Sequence, residues 1–202
     1  MPLLHNTITA HDSSAIAIGA PDRLSLTYAA LCALTNQTRA ALNGLGIGRN
    51  DRVAIVLPNG PEMAAAFIAV SASATTAPLN PAYRADEFRF YLEDLNAKAL
   101  ILREGDHSPA RAAAQGLGIA ILVLSADGDA PAGRFTLEGP NIGATDAPGP
   151  AKASDIALVL HTSGTTSRPK IVPLSHANIA ASARNISATL DLTPQDRCLN
   201  VM

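Results

Sequence analysis

Between residues 162 and 170 the chain gathers an unusual density of groups that can hold an anion. Thr162, Ser163, Thr165, Thr166 and Ser167 each offer a hydroxyl and a backbone N–H, and Arg168, Pro169 and Lys170 close the run. Gly164 in their midst lets main chain approach a ligand closely. Successive N–H groups in a tight loop form an anion-binding concavity. Lys170 adds a compact charge suited to a phosphate. Together these residues read as a polyphosphate cradle. Chemistry alone leaves a second reading open, a solvated Ser/Thr-rich connector between two elements. It does disfavour the Walker loop, which needs G-x-x-x-x-G-K-[ST]. Here the first glycine is absent and Ile171 follows Lys170.

A loop of this kind needs rigid neighbours. The apolar run Ile156 to Leu160 predicts a buried strand leading into it, and Val172-Pro-Leu174 predicts an extended exit. Ile171 is β-branched and resists positive φ, so the exit is expected to be extended there too. Ser175 caps a predicted helix to about Leu190, with Ile179, Ala183, Ile186 and Leu190 on its apolar side. Asp196 to Met202 reads as a further strand.

Upstream, apolar runs alternate with helical patterns. Ala15 to Ile18, Val53 to Leu57, Ala99 to Leu102 and Ala120 to Leu124 are strand candidates. Thr27 caps a helix with Leu31, Leu34, Thr38, Ala41, Leu42 and Leu45 on one face, ended by Gly46 and Gly48. Pro61 and Glu62 open a second helix, Ala85 to Leu95 form a third, and Ser108-Pro109 start a fourth. Ala77 to Pro81 reads as an extended link. This order predicts an α/β fold, a mostly parallel sheet flanked by helices on both faces. Residues 1–124 form its first subdomain. Residues 125–153, rich in Gly, Pro, Ala and Asp, read as a surface linker ordered in patches, and 154–202 begin the phosphate-loop subdomain.

Composition narrows the partners. Fifteen basic and 17 acidic residues leave a net charge of −2, which does not suggest a nucleic-acid surface. Charged residues make up 16%, below the roughly 25% of an average soluble domain, so part of the surface is expected to be covered, by self-association or by more polypeptide. Cys32 and Cys198 read as reduced, at least half-buried thiols, which with the lack of a signal-peptide pattern suggests a cytoplasmic setting. No apolar stretch is long enough to span a bilayer, and no cysteine spacing suggests a metal site.

The run Thr162-Ser-Gly-Thr-Thr-Ser-Arg-Pro-Lys170 resembles the AMP-binding signature of the adenylate-forming superfamily, which includes acyl-CoA synthetases, peptide-synthetase adenylation domains and luciferase. His161 before it and Ser167-Arg168-Pro169 within it are most similar to the oxalate–CoA ligase-like branch of the acyl-CoA synthetases. Leu26-Thr27-Tyr28, Gly48 to Val53, Leu57 to Glu62 and Pro78 to Tyr83 resemble further segments in the same order, while Ile171 departs from the usual glycine. The resemblance implies that Thr162, Ser163, Gly164, Thr165, Thr166 and Lys170 hold the β- and γ-phosphates of ATP. It implies Mg2+ and coenzyme A as cofactors and a small carboxylic acid as substrate, with no catalytic nucleophile or base in this span. It also implies that this is an N-terminal portion, inactive alone, because adenine, ribose and magnesium ligands come from later segments. A carrier-protein-loading adenylation domain and a non-catalytic phosphate-binding or docking fragment are the rival readings. Asn80 and Tyr83 are expected to cap or pack rather than touch ligand, and His176 and Asn178, at the start of the last helix, to be capping or surface groups.

Overall fold

Strands that are apolar on both faces need cover on both faces, and the computed structural model, which describes residues 4–162 and 169–200, provides it. The elements in order are helix α1 (Leu4–Thr9), strands β1 (Ile16–Ile18) and β2 (Leu26–Thr27), then α2 (Tyr28–Gly44), β3 (Arg52–Val56), α3 (Pro61–Ser71) and β4 (Thr75–Pro78). They continue with α4 (Ala85–Asp94), β5 (Ala99–Arg103), α5 (Pro109–Gly116), β6 (Ala120–Ser125), β7 (Thr136–Glu138), β8 (Ile156–Thr162), β9 (Lys170–Ser175) and α6 (His176–Thr189). Strands β1 and β2 pair as a small antiparallel ribbon, and the other seven form one sheet ordered β7-β6-β5-β3-β4-β8-β9. The five central strands run parallel, while β7 and β9 close the two edges antiparallel. The expected α/β fold with a mostly parallel sheet is therefore observed.

Side chains alternate across the sheet and divide the core in two. Val53, Ile55, Ile101 and Leu122 face helices α2 and α3, where Leu31, Leu34, Leu42, Ala66 and Val70 meet them. Ala54, Val56, Leu100 and Leu102 face the other way, onto Phe88, Leu92 and Leu95 of the α4 side and Ala110 and Ala114 of α5. The caps read from sequence are in place. Thr27 Oγ1 accepts from the Ala30 N–H at 3.2 Å, and Ser175 Oγ from the Asn178 N–H at 3.2 Å.

Four expectations need correction. The link at Ala77 to Pro81 begins inside strand β4, which lies between β3 and β8. Its threonines reach sideways: Thr75 Oγ1 donates to the Ile156 carbonyl and Thr76 Oγ1 to the Ala157 carbonyl, each at 2.7 Å. These bonds tie β4 to β8 where the two strands share a single paired position. Residues 125–153 do more than link, because they contain β7 and bury Ala132 and Phe135. Asp196 to Asn200 forms no strand and is exposed, Cys198 included; Cys198, Leu199 and Asn200 line a pocket with Ala17 and Ile18 of β1, and the last two residues of the expected strand lie outside the described residues. Finally, α6 packs against β8, β9 and α1 and buries His176 and Ala180 near its start, whereas Ile186 and Leu190 of the expected apolar side stand open toward its end.

Candidate phosphate-binding hairpin

Strands β8 and β9 make an antiparallel hairpin, and the hydroxyl-rich loop is its connection. The last rung pairs Thr162 with Lys170, and the rung before it pairs His161 with Ile171. Opposed residues of an antiparallel pair project from the same face. Thr162 and Lys170 are thus brought together, both exposed, at the mouth of the loop. Thr162 Oγ1 lies 3.5 Å from the Lys170 carbonyl. Among the described residues no carboxylate pairs with Lys170, so its charge is available to an anion. Ser163, Gly164, Thr165 and Thr166 lie outside the described residues. The extended exit at Ile171 is observed, since that residue belongs to β9 and its side chain packs with the α4 core. Proline within β9 is tolerated because β9 is an edge strand.

The side of the hairpin opposite Thr162 and Lys170 rests on α4. Val159, two residues before His161, is 2% exposed against that core. The His161 ring meets Tyr91 edge-on at 4.7 Å, and its Nε2 lies 3.0 Å from Asp94 Oδ2 in the last turn of α4. Tyr83 stacks on Tyr91 at 4.8 Å and meets Phe88 edge-on at 5.8 Å. Burial, together with the adjoining Tyr91 hydroxyl, pushes the Tyr83 phenol up to about 12. Sequence reasoning placed Tyr83 as a packing group and gave no role to Asp94, which nothing local marks, because its contact joins residues 67 positions apart.

The remaining sequence candidates serve the frame. Asn80 Oδ1 accepts from the Ala82 N–H at 2.9 Å and fixes a turn. Asn178 completes the α6 capping box through Oδ1 to the Ser175 N–H at 3.0 Å. His176 is buried at the start of α6. Burial holds its imidazole below the usual value, against the opposing pull of the Ser71 backbone and the Asp155 carboxylate. Asp155 itself is pinned by the Asn50 amide at 3.2 Å and the Lys152 N–H at 2.7 Å. Among the described residues no group of three or more His, Cys, Asp or Glu could hold a metal ion.

A family model described as "AMP-binding enzyme" matches residues 6–202. The chain belongs to the AMP-binding enzyme family. It is 39% identical over 191 residues to the oxalate–CoA ligase of Arabidopsis thaliana, covering 92% of this chain and 37% of that protein. It is 32% identical over 178 residues to tyrocidine synthase 3 of Brevibacillus parabrevis, covering 88% of this chain and 3% of that one. Among solved structures, ATP-bound MatB from Rhodopseudomonas palustris superposes with a TM-score of 0.76 at 27% identity, over 96% of this chain and 38% of MatB. The chain therefore spans little more than a third of the length of the oxalate–CoA ligase that it matches.

Proposed function

We propose that these 202 residues carry the triphosphate-binding part of an AMP-forming carboxylate–CoA ligase. The observation that carries this reading is the exposed Thr162–Lys170 rung, set at the mouth of a hydroxyl-rich loop within a family whose model covers nearly the whole chain. The oxalate–CoA ligase and the ATP-bound MatB among its relatives support it. On this reading Thr162, Ser163, Gly164, Thr165, Thr166 and Lys170 hold the β- and γ-phosphates of ATP. A carboxylate oxygen of the acid substrate attacks the α-phosphorus. The bond from that phosphorus to the bridging oxygen breaks, pyrophosphate leaves, and an acyl-adenylate remains. The thiol sulfur of coenzyme A then attacks the acyl carbonyl, giving its proton to solvent as AMP departs. Charge grows on the leaving pyrophosphate in the first step, and a fixed lysine and N–H donors stabilise it electrostatically. A hydroxyl–ammonium rung suits a polyanion, so Mg2+ fits here as the partner of ATP, where it would add charge neutralisation.

Acid-dependent exchange of labelled pyrophosphate into ATP, in the protein that carries this segment, tests the first step. Lys170→Ala is expected to slow it by about a hundredfold. An unchanged rate would remove Lys170 from the phosphate site. The 202 residues alone are expected to form no acyl-CoA, and detection of product from the pure chain would overturn that. A second reading, an adenylation domain that loads a carrier protein, draws on the likeness to tyrocidine synthase 3. Transfer of the acyl group to a carrier protein rather than to coenzyme A would favour it.

A further inference from the structure

We infer that His161 and Asp94 form a strut that holds the Thr162–Lys170 rung in its phosphate-binding position. The inference rests on the phosphate-site reading above and adds two positioning residues to it. Neither is expected to touch the nucleotide. Three observations converge. The His161 side chain is 6% exposed, with Nε2 at 3.0 Å from Asp94 Oδ2. A carboxylate only accepts, so the imidazole donates from Nε2 whether neutral or charged. The partner sits in the last turn of α4, whose C-terminal carbonyls favour a positive neighbour. Next, Tyr91 meets the ring edge-on at 4.7 Å and is itself stacked on Tyr83, so the imidazole is confined from the side as well. Last, His161 is paired across the hairpin with Ile171, and both pack toward α4. The next rung outward is Thr162 with Lys170.

The consequence follows from strand geometry. Strand β9 is an edge strand, supported on one side by β8 alone. An edge hairpin twists and frays at its open end unless a side-chain contact restrains it. The bond from His161 to Asp94 restrains β8 one residue before Thr162, from the face opposite the hydroxyl and ammonium groups. Removing it leaves the phosphate-binding groups intact but lets their backbone wander. Affinity falls because the ordering must then be supplied on binding.

Magnesium pyrophosphate titrated into the protein that carries this segment, followed by calorimetry, tests the strut, with thermal melting of each variant alongside. His161→Phe keeps the ring against Tyr91 and removes the donor. Asp94→Ala removes the acceptor. Each is expected to weaken binding about fivefold. The double variant should be no weaker than either single one, because the two residues act through one bond. His161→Gln can still donate and should recover most of the affinity. Singles within twofold of wild type, or losses that add in the double variant, would overturn the strut. Losses that merely follow a lowered Tm and vanish on cooling would do the same. Lys170→Ala separates the two levels of the argument. If it weakens binding and His161→Phe does not, the strut alone fails. If wild type binds no pyrophosphate, or binds it as well with Lys170→Ala, the phosphate-site reading fails and takes the strut with it.

Discussion

His176 shows what burial does to a titratable group that the site does not use. It is 1% exposed and burial lowers its pKa below the ordinary value of 6.5, the nearby Asp155 and Ser71 backbone notwithstanding. The sign follows from linkage. Above the unfolded value both states carry a neutral ring and its contribution to stability is complete. As pH falls below 6.5 the unfolded chain takes up a proton that the native state resists, and stability drops until the native ring is protonated too. Urea midpoints are therefore expected to decline from pH 7 to pH 5. The decline should flatten in His176→Gln, whatever that variant does to absolute stability. His5, also lowered by burial and by Arg39, contributes the slope that remains. An unchanged slope would mean that His176 does not titrate differently in the two states. Glu62 stays out of this window. Burial alone would raise its carboxyl, but hydrogen bonds from Arg23 at 2.6 Å and the Gly133 N–H at 3.2 Å hold it below its ordinary 4.5. Its contribution is lost only as pH falls through that lower value. From sequence, His176 was legible as a helix-start residue, and its burial was not, because the residues that cover it come from distant segments.

Among the elements, those with strong local signals were legible and those held by distant partners were not. The apolar runs of β3, β5 and β6 announce themselves. Strand β4 does not, with only four residues, two of them threonines and the last a proline. Its identity rests on hydroxyls that bond across to β8. Thr76→Val keeps the shape and leaves the Ala157 carbonyl without that donor. It is expected to cost about 1–2 kcal/mol in urea unfolding, and a value near zero would show the bond to be dispensable. Residues 139–149 were hidden by composition, since Gly, Pro and Asp usually mark loose chain. Here the segment lies against the turn after α2. The Arg49 N–H donates to the Ala147 carbonyl at 2.9 Å, and Asn141 Nδ2 to the Gly44 carbonyl at 2.9 Å. A Cβ at Gly48 would stand 2.4 Å from the Ala147 carbonyl oxygen and still nearer the Thr145 hydroxyl. Gly48→Ala must push the segment away and is expected to destabilise by about 1–3 kcal/mol. Gly44→Ala, with open space around its Cβ position, is the control and should leave the melting temperature nearly unchanged.

At the scale of the whole molecule, one sheet serves two cores. Along β3 the side chains of Val53 and Ile55 belong to the α2–α3 side, and those of Ala54 and Val56 to the α4–α5 side. Neither helical layer can leave without exposing the apolar face it covers on strands that the other layer still needs. The two cores should therefore unfold together. The tyrosines allow a direct test, since the chain has three of them and no tryptophan. Tyr28 packs at the α2 side, and Tyr83 and Tyr91 at the α4 side. In a Tyr28→Phe background the fluorescence reports the α4 side alone. Leu42→Ala then damages the opposite core at a fully buried site, at an expected cost of about 2–5 kcal/mol. If the sheet couples the layers, the tyrosine transition in urea moves to lower concentration by as much as the helical circular dichroism does. A tyrosine transition that stays in place while the circular dichroism shifts would show the α4 layer to be stable without its neighbour. The hairpin that presents Thr162 and Lys170 would then depend on that layer alone, because His161 and Ile171 anchor it there.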